Sequence, residues 1–252
     1  MRRVKADGPE AAPARALEFI RPLTTVDVVI FAVRDATLRV LLVRRPADQE
    51  EPFPQCWALP GGFVDIERDT DLEACAIRKL REKTGLVAAY LEQLGSWGSI
   101  TRDPRGWSAT HVYFSLIASD EVDLHPGGNA IELQWFKVID DKVTVTLAFD
   151  HDFLLKAAVT RLRAKVEYTS LPTFLMPNEF TLTELQQTYE AILARDLEKK
   201  AFRTRVLSAN VLDPVPRMRS GSNRPAQLYR LKRKGQPYLF SRPFGSAQPP
   251  SQ

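Results

Sequence analysis

The sequence predicts an α/β chain in two parts: an α/β/α sandwich over 21–168, then a small helical domain closed by a β-hairpin over 179–240. Three observations carry this. Short β-branched runs alternate with two helical patterns in the order strands, helix, strands, helix. Ser170-Leu171-Pro172 and Met176-Pro177-Asn178 then punctuate the chain, placing a linker at 169–178. Beyond them the charge changes sign. Residues 170–252 hold 13 Lys+Arg and 6 Asp+Glu, a net +7, which leaves 22 against 25, a net −3, for the rest. A slightly acidic body with a basic C-terminal part is the footprint of a polyanion binder.

Residues 25–33 and 39–44 read as strands joined by the turn Arg34-Asp35-Ala36-Thr37. Trp57-Ala58-Leu59 leads into a Gly61-Gly62 loop. An amphipathic helix spans about 70–84, its buried stripe supplied by Leu72, Ile77 and Leu80, with Gly85 placed as its left-handed cap. Residues 94–100, 111–118 and 132–138 read as further strands, with a turn at 102–106. A long helix over 150–168 places Phe153, Leu154, Ala157, Ala158, Leu162 and Val166 on its apolar side.

Past the linker, Thr181 and Glu184 form a capping box, with Phe180 stapled onto Leu185. Leu185, Tyr189, Ile192 and Leu193 give that helix its periodicity. Asp196 is placed to cap a second helix, 197–208, which buries Leu197, Ala201, Phe202 and Val206 and displays Lys199, Lys200, Arg203 and Arg205. A hairpin follows, its Ser-Gly-Ser-Asn tip flanked by Arg217, Arg219 and Arg224. Helix, tight turn, basic helix and basic hairpin are the order of a winged helix-turn-helix, whose second helix enters the DNA major groove.

Composition excludes other classes. No apolar run approaches the ~18 residues of a membrane span, and the start lacks a secretory signal, so the expected compartment is the cytoplasm. Cys56 and Cys75 make neither a disulfide framework nor a zinc site, and Cys75 reads as a core residue. Residues 1–20 and 241–252 read as disordered arms.

The segment Gly61-Gly62-Phe63-Val64, followed after eight residues by Glu73-Ala74-Cys75-Ala76-Ile77-Arg78-Lys79-Leu80-Arg81-Glu82-Lys83-Thr84-Gly85-Leu86, resembles the Nudix box. The family's three glutamates lie at i, i+3 and i+4 on one helix face and converge on Mg²⁺. Here those positions are Lys79, Glu82 and Lys83. Lysine has no acceptor and repels the cation. The upstream glutamate position is taken by Thr70, in a loop two residues longer than the family's. The resemblance therefore implies the fold without metal-dependent hydrolysis: no catalytic residue and no metal ligand is assigned. The alternative is an active ADP-ribose or nucleoside-diphosphate hydrolase using Asp65, Glu67, Asp69 and Asp71 as a rebuilt acidic loop. A second is a binding module whose tail engages RNA or protein.

A degenerate Nudix box ahead of a winged helix is similar to the Nudix-related transcriptional regulators of NAD metabolism. The resemblance is carried by residues 59–65, 180–186, 189–193 and 224–230, the last of which looks like the family's closing wing strand. It implies a homodimeric repressor that binds a palindromic operator and releases it on binding ADP-ribose, with no other cofactor. For the ligand, Arg44, Arg45, Trp57, Gly61, Gly62, Phe63, Arg78, Lys79, Glu82 and Lys83 are the candidates, with Trp107 as a further stacking aromatic. For DNA they are Thr183, Lys199, Lys200, Arg203, Arg205, Arg217, Arg219, Arg224 and Gln227. His111 reads as structural.

Overall fold

The computed structural model describes residues 21–118, 127–128, 130–220, 225–232 and 235–244. Its central strand, β1 (Leu23–Arg34), turns back into β2 (Thr37–Arg44) through Asp35 and Ala36, both at φ near +50°. Two left-handed residues make the turn whose twist matches a tight hairpin. The strand β3 (Trp57–Ala58) pairs with β2, and β4 (Gly61–Phe63) pairs with the start of β1. Along its other edge β1 runs parallel to β6 (Ser108–Leu116), which pairs with β5 (Tyr90–Ser99). The last strand of the sandwich, β7 (Glu132–Lys137), lies against β2.

Strand alternation gives the sheet two apolar faces. Val28, Ile30, Leu41 and Tyr113 face α1 (Leu72–Thr84), where Cys75, Ala76 and Leu80 are buried. The helix is capped by Asp71, whose carboxylate accepts from the Ala74 N–H, and by Gly85 at φ 74°. Its buried stripe is narrower than predicted, because Ile77 lies outside it and is exposed. Val29, Phe31, Leu42 and Phe114 face α2 (His151–Val166), which buries Leu154, Leu155, Ala158, Val159, Leu162 and Val166. Phe153 is not on that side. It is exposed and meets Trp97 edge-on.

The predicted linker is not loose. Residues Leu171–Leu175 form a buried 3₁₀ turn, and Leu171, Phe174 and Leu175 join the core above α2. Then come β8 (Phe180–Thr181), α3 (Leu182–Leu193), α4 (Lys199–Ser208), β9 (Leu212–Arg219) and β10 (Ala226–Leu231), with sheet order β8-β10-β9. The capping box is present at Thr181 and Glu184. The cap of α4 is Glu198, whose carboxylate accepts from the Lys200 and Ala201 N–H groups, and not Asp196. The helix therefore starts two residues later than predicted, and Leu197 lies before it. Phe202 and Val206 are its buried residues, while Ala201 is exposed.

The helices α2 and α3 share one core, in which Leu185, Tyr189 and Ile192 sit with Leu154, Leu155 and Leu162. The Tyr189 hydroxyl donates to the Thr169 carbonyl at 2.8 Å. Residues 241–244 correct the expected disordered tail. The Phe244 N–H donates to Glu167 O at 2.8 Å, and its buried ring meets Tyr189 and Phe202. Residues 245–252, like 1–20, lie outside the described residues.

Candidate functional site

A cleft of about 290 Å³ opens where β4, α1 and the start of α2 meet. It is lined by Arg44, Arg45, Gly61, Gly62, Phe63, Lys79 and Lys83 from the predicted set, and by Asp27, Arg102, Asp103, Arg105, Phe149 and His151, which the sequence did not single out. One turn apart on α1, Lys79 and Lys83 form one wall. A Cβ on Gly62 would stand 3.1 Å from Lys79 Nζ, so the Gly-Gly loop lies directly against that ammonium group. Burial, and then the charge of Lys79, push the Lys83 pKa below its ordinary 10.5.

The cleft also carries guanidinium groups. Arg45 donates to Glu51 at 3.1 Å and to the Pro52 carbonyl, and it stacks 5.0 Å from the Phe149 ring centre. Arg44 pairs with Glu132 at 3.2 Å. Arg105 lies 5.0 Å over the Phe63 ring and is held by Asp103. The result is a cationic, aromatic-edged cleft, chemically suited to a phosphorylated ligand with a planar base.

At the floor is a buried polar group. Arg102 forks onto Asp150 at 2.8 and 3.1 Å, and its Nη2 lies 3.9 Å from Asp27. Thr110 donates to Asp27 Oδ2 at 2.7 Å. The Leu59 N–H donates to His151 Nδ1 at 2.9 Å, so the proton of the neutral ring sits on Nε2, 3.9 Å from Asp27 Oδ1. Burial is the largest influence on His151 and lowers its pKa. The carboxylates of Asp27 and Asp150 oppose that shift without cancelling it. Gly61 is required here, since a Cβ would fall 2.1 Å from Asp27 Oδ1.

Three of the predicted ligand residues face elsewhere. Trp57 packs edge-on against Phe136, because strand alternation turns its neighbour Ala58 to the cleft. Arg78 forks onto Asp69 and reaches Glu82 at 2.9 Å, and Glu82 also accepts from Arg68 at 2.8 Å. Burial disfavours the ionised form of Glu82, but Arg68 and Arg78 outweigh it and hold its pKa below the usual value. Trp107 is exposed and does not line the cleft, and His111 meets Ser96 at 2.7 Å away from it.

The residues present do not fit a Mg²⁺ ion. Asp71 is spent on capping α1, Asp69 on Arg78 and the Asp65 N–H, and Glu82 on two arginines. Among the described residues no group of three or more His, Cys, Asp or Glu side chains could hold a metal.

A second, more open groove lies between the start of α3, α4 and the hairpin. Thr183, Lys199, Arg203, Arg219 and Gln227 line it together with Met218 and Tyr229. Arg203 donates to Thr183 Oγ1 at 3.4 Å, and Arg219 pairs with Glu184. Gln227 also braces the hairpin, donating to the Val215 carbonyl at 2.6 Å beside a bulge. Lys200 is exposed outside the groove, and Arg217 turns to Glu179. Arg205 departs from the predicted set. Its guanidinium lies 3.9 Å over the Phe244 ring and 4.5 Å over Phe240, on the inner side of α4. Arg224 lies outside the described residues. No helix among the described residues is long and apolar enough to cross a membrane.

A Nudix-type sandwich with its cleft intact, joined through a common core to a winged helix with a basic groove, defines the class. Residues 23–150 match the NUDIX domain family, and residues 172–231 match the NrtR DNA-binding winged helix domain. The chain is 45% identical over 228 residues to the ADPR responsive transcriptional repressor NtrR of Acinetobacter baylyi, covering 89% of this chain and 88% of that one. Among solved structures, Shewanella oneidensis NrtR complexed with a 27mer DNA is similar at 38% identity and a TM-score of 0.78, over 88% of this chain and 99% of that one. The NUDIX domain of the same protein, complexed with ADP ribose, is 40% identical with a TM-score of 0.52, over 57% of this chain and 90% of that one. This chain belongs to the NrtR family of Nudix-related transcriptional regulators.

Proposed function

We propose that this protein is a transcriptional repressor of NAD biosynthesis or salvage genes that holds ADP-ribose uncleaved in its Nudix cleft and releases its operator when it does so. The observation that carries this reading is the pair Lys79 and Lys83 on the cleft wall, at positions where a hydrolase of the fold needs metal-binding carboxylates. Ammonium groups neutralise a diphosphate as Mg²⁺ would, but they do not activate water. The ligand is thus bound without being consumed, as a sensor requires. The relatives support the same reading, one by its name and two by the DNA and ADP-ribose bound to them.

The DNA contacts follow from the groove. Lys199 and Arg203 face phosphates from α4, Arg219 does so from the hairpin, and Thr183 lies at the start of α3. Two copies of the chain read paired half-sites of a palindromic operator. An anisotropy titration against promoter fragments of NAD genes tests the whole reading. ADP-ribose should weaken binding, and incubation with ADP-ribose and Mg²⁺ should release no AMP. Operator affinity indifferent to ADP-ribose, or AMP release at an enzyme's rate, would refute it.

A further inference from the structure

Two polar atoms in the cleft make no hydrogen bond to another described residue. Asp27 and His151 are each more than nine-tenths buried, and both line the cleft. Asp27 Oδ2 is taken by Thr110, and His151 Nδ1 by the Leu59 N–H. The other atom of each, Asp27 Oδ1 and His151 Nε2, lies 3.9 Å from the other. That is beyond a hydrogen bond.

Their placement is enforced. Leu59 fixes the imidazole from one side, Thr110 fixes the carboxylate from the other, and Gly61 removes the side chain that would fill the space over Oδ1. An acceptor and a donor set this far apart match a hydroxyl group, which donates to one and accepts from the other.

We propose that Asp27 and His151 form a hydroxyl-recognition subsite for a ribose of the bound nucleotide sugar, with Asp27 Oδ1 accepting from the sugar hydroxyl and His151 Nε2–H donating to it. This rests on the reading of the cleft as an ADP-ribose site and adds what distinguishes the sugar from a bare diphosphate. A site built to hydrogen-bond a hydroxyl rejects a ligand lacking it, because its buried groups are then unpaired.

The test is calorimetry on the full chain with two probes, ADP-ribose and inorganic diphosphate. Asp27→Asn leaves an acceptor for Thr110 and puts an N–H donor in place of Oδ1. His151→Asn keeps an acceptor for the Leu59 N–H and deletes Nε2. Each variant should bind ADP-ribose at least tenfold more weakly and bind diphosphate as the wild type does, which also reports that the cleft is folded. Unchanged ADP-ribose affinity in both variants would overturn the subsite, as would equal losses for both probes. Wild-type protein that binds diphosphate but not ADP-ribose would overturn it too. Wild-type protein that binds neither would bring down the ADP-ribose reading, and the subsite with it.

Discussion

Replacing Lys79 and Lys83 together by methionine removes both charges while keeping most of each side chain's volume. Both lysines are half-buried on the cleft wall, and Lys79 Nζ lies against the Gly-Gly loop. A hydrogen bond to a charged partner nets about 1.5–3 kcal/mol, so two of them, discounted for partial exposure, give about 3–4 kcal/mol. That corresponds to roughly 150- to 700-fold in affinity for ADP-ribose. Glutamates at both positions should weaken binding further, because charge is then reversed rather than removed. Calorimetry measures the loss, and operator affinity without ligand provides the control, since the groove lies on the other domain. The wild type carries a second signature. Burial has lowered the Lys83 pKa, and a bound diphosphate favours its charged form. Affinity should therefore fall as pH rises through that lowered value, still below 10.5, and the fall should vanish in Lys83→Met. A double variant that binds ADP-ribose within about threefold of the wild type, roughly 0.7 kcal/mol, would refute the reasoning.

Neutralising Lys199 and Arg203 should weaken operator binding and flatten its dependence on salt by about one unit of log–log slope for each phosphate no longer neutralised. Arg205→Ala should instead lower thermal stability and leave that slope alone, because Arg205 lies over Phe240 and Phe244. An unchanged slope in the Lys199/Arg203 variant would remove α4 from the interface. Phe244→Ala should cost about 3 kcal/mol in a denaturant titration, as truncation of a buried aromatic does, whereas a dispensable tail would give no change. His151 is held neutral by burial and titrates below its ordinary 6.5. Under acid the unfolded chain takes up this proton first, so the stabilisation is whole above 6.5 and is lost as pH falls towards the folded value. Urea midpoints from about pH 7.5 to 5 should slope less in His151→Asn than in the wild type, and identical slopes would count against it.

What was legible in the sequence was local. The capping box at Thr181, the glycine cap at Gly85 and the hairpin at Asp35 each lie within a few residues of chain, where backbone geometry and residue type decide together. Lys79 and Lys83 stand out through the resemblance to the Nudix box, whose glutamate positions they occupy, and the helix puts i and i+4 on one face. The floor of the cleft was not legible. Asp27, Arg102 and His151 come from β1, the β5–β6 connection and α2, and only the sheet and the packing of α2 bring them together. Two errors had a signal that helical or strand period carries. Arg205 lies three residues after buried Phe202 and one before buried Val206, which puts it on the inner side of α4. Trp57 alternates with Ala58 on β3, so the two cannot both face the cleft. Glu198 was missed as a cap because glutamate is an uncommon residue there.

The two sites are joined by a single element. His151, the first residue of α2, lies at the cleft floor, and Asp150 before it is gripped by Arg102. Sixteen residues of unbroken helix, about 24 Å, carry that end to the winged helix. There Leu162 packs in the core with Tyr189 and Ile192, Arg163 donates to the Ile192 carbonyl at 2.8 Å, and Glu167 pairs with Arg195 just past α3. Phe149, which lines the cleft, sits at φ 56°, a left-handed backbone that an aromatic residue adopts only at a cost. The strain is therefore stored at the junction between ligand pocket and helix. A ligand shifts an equilibrium only through interactions that differ between its two states. A packed interface moves between discrete arrangements rather than bending. One end of α2 thus lines the cleft, while its flank packs on α3, whose first residues line the groove of the winged helix.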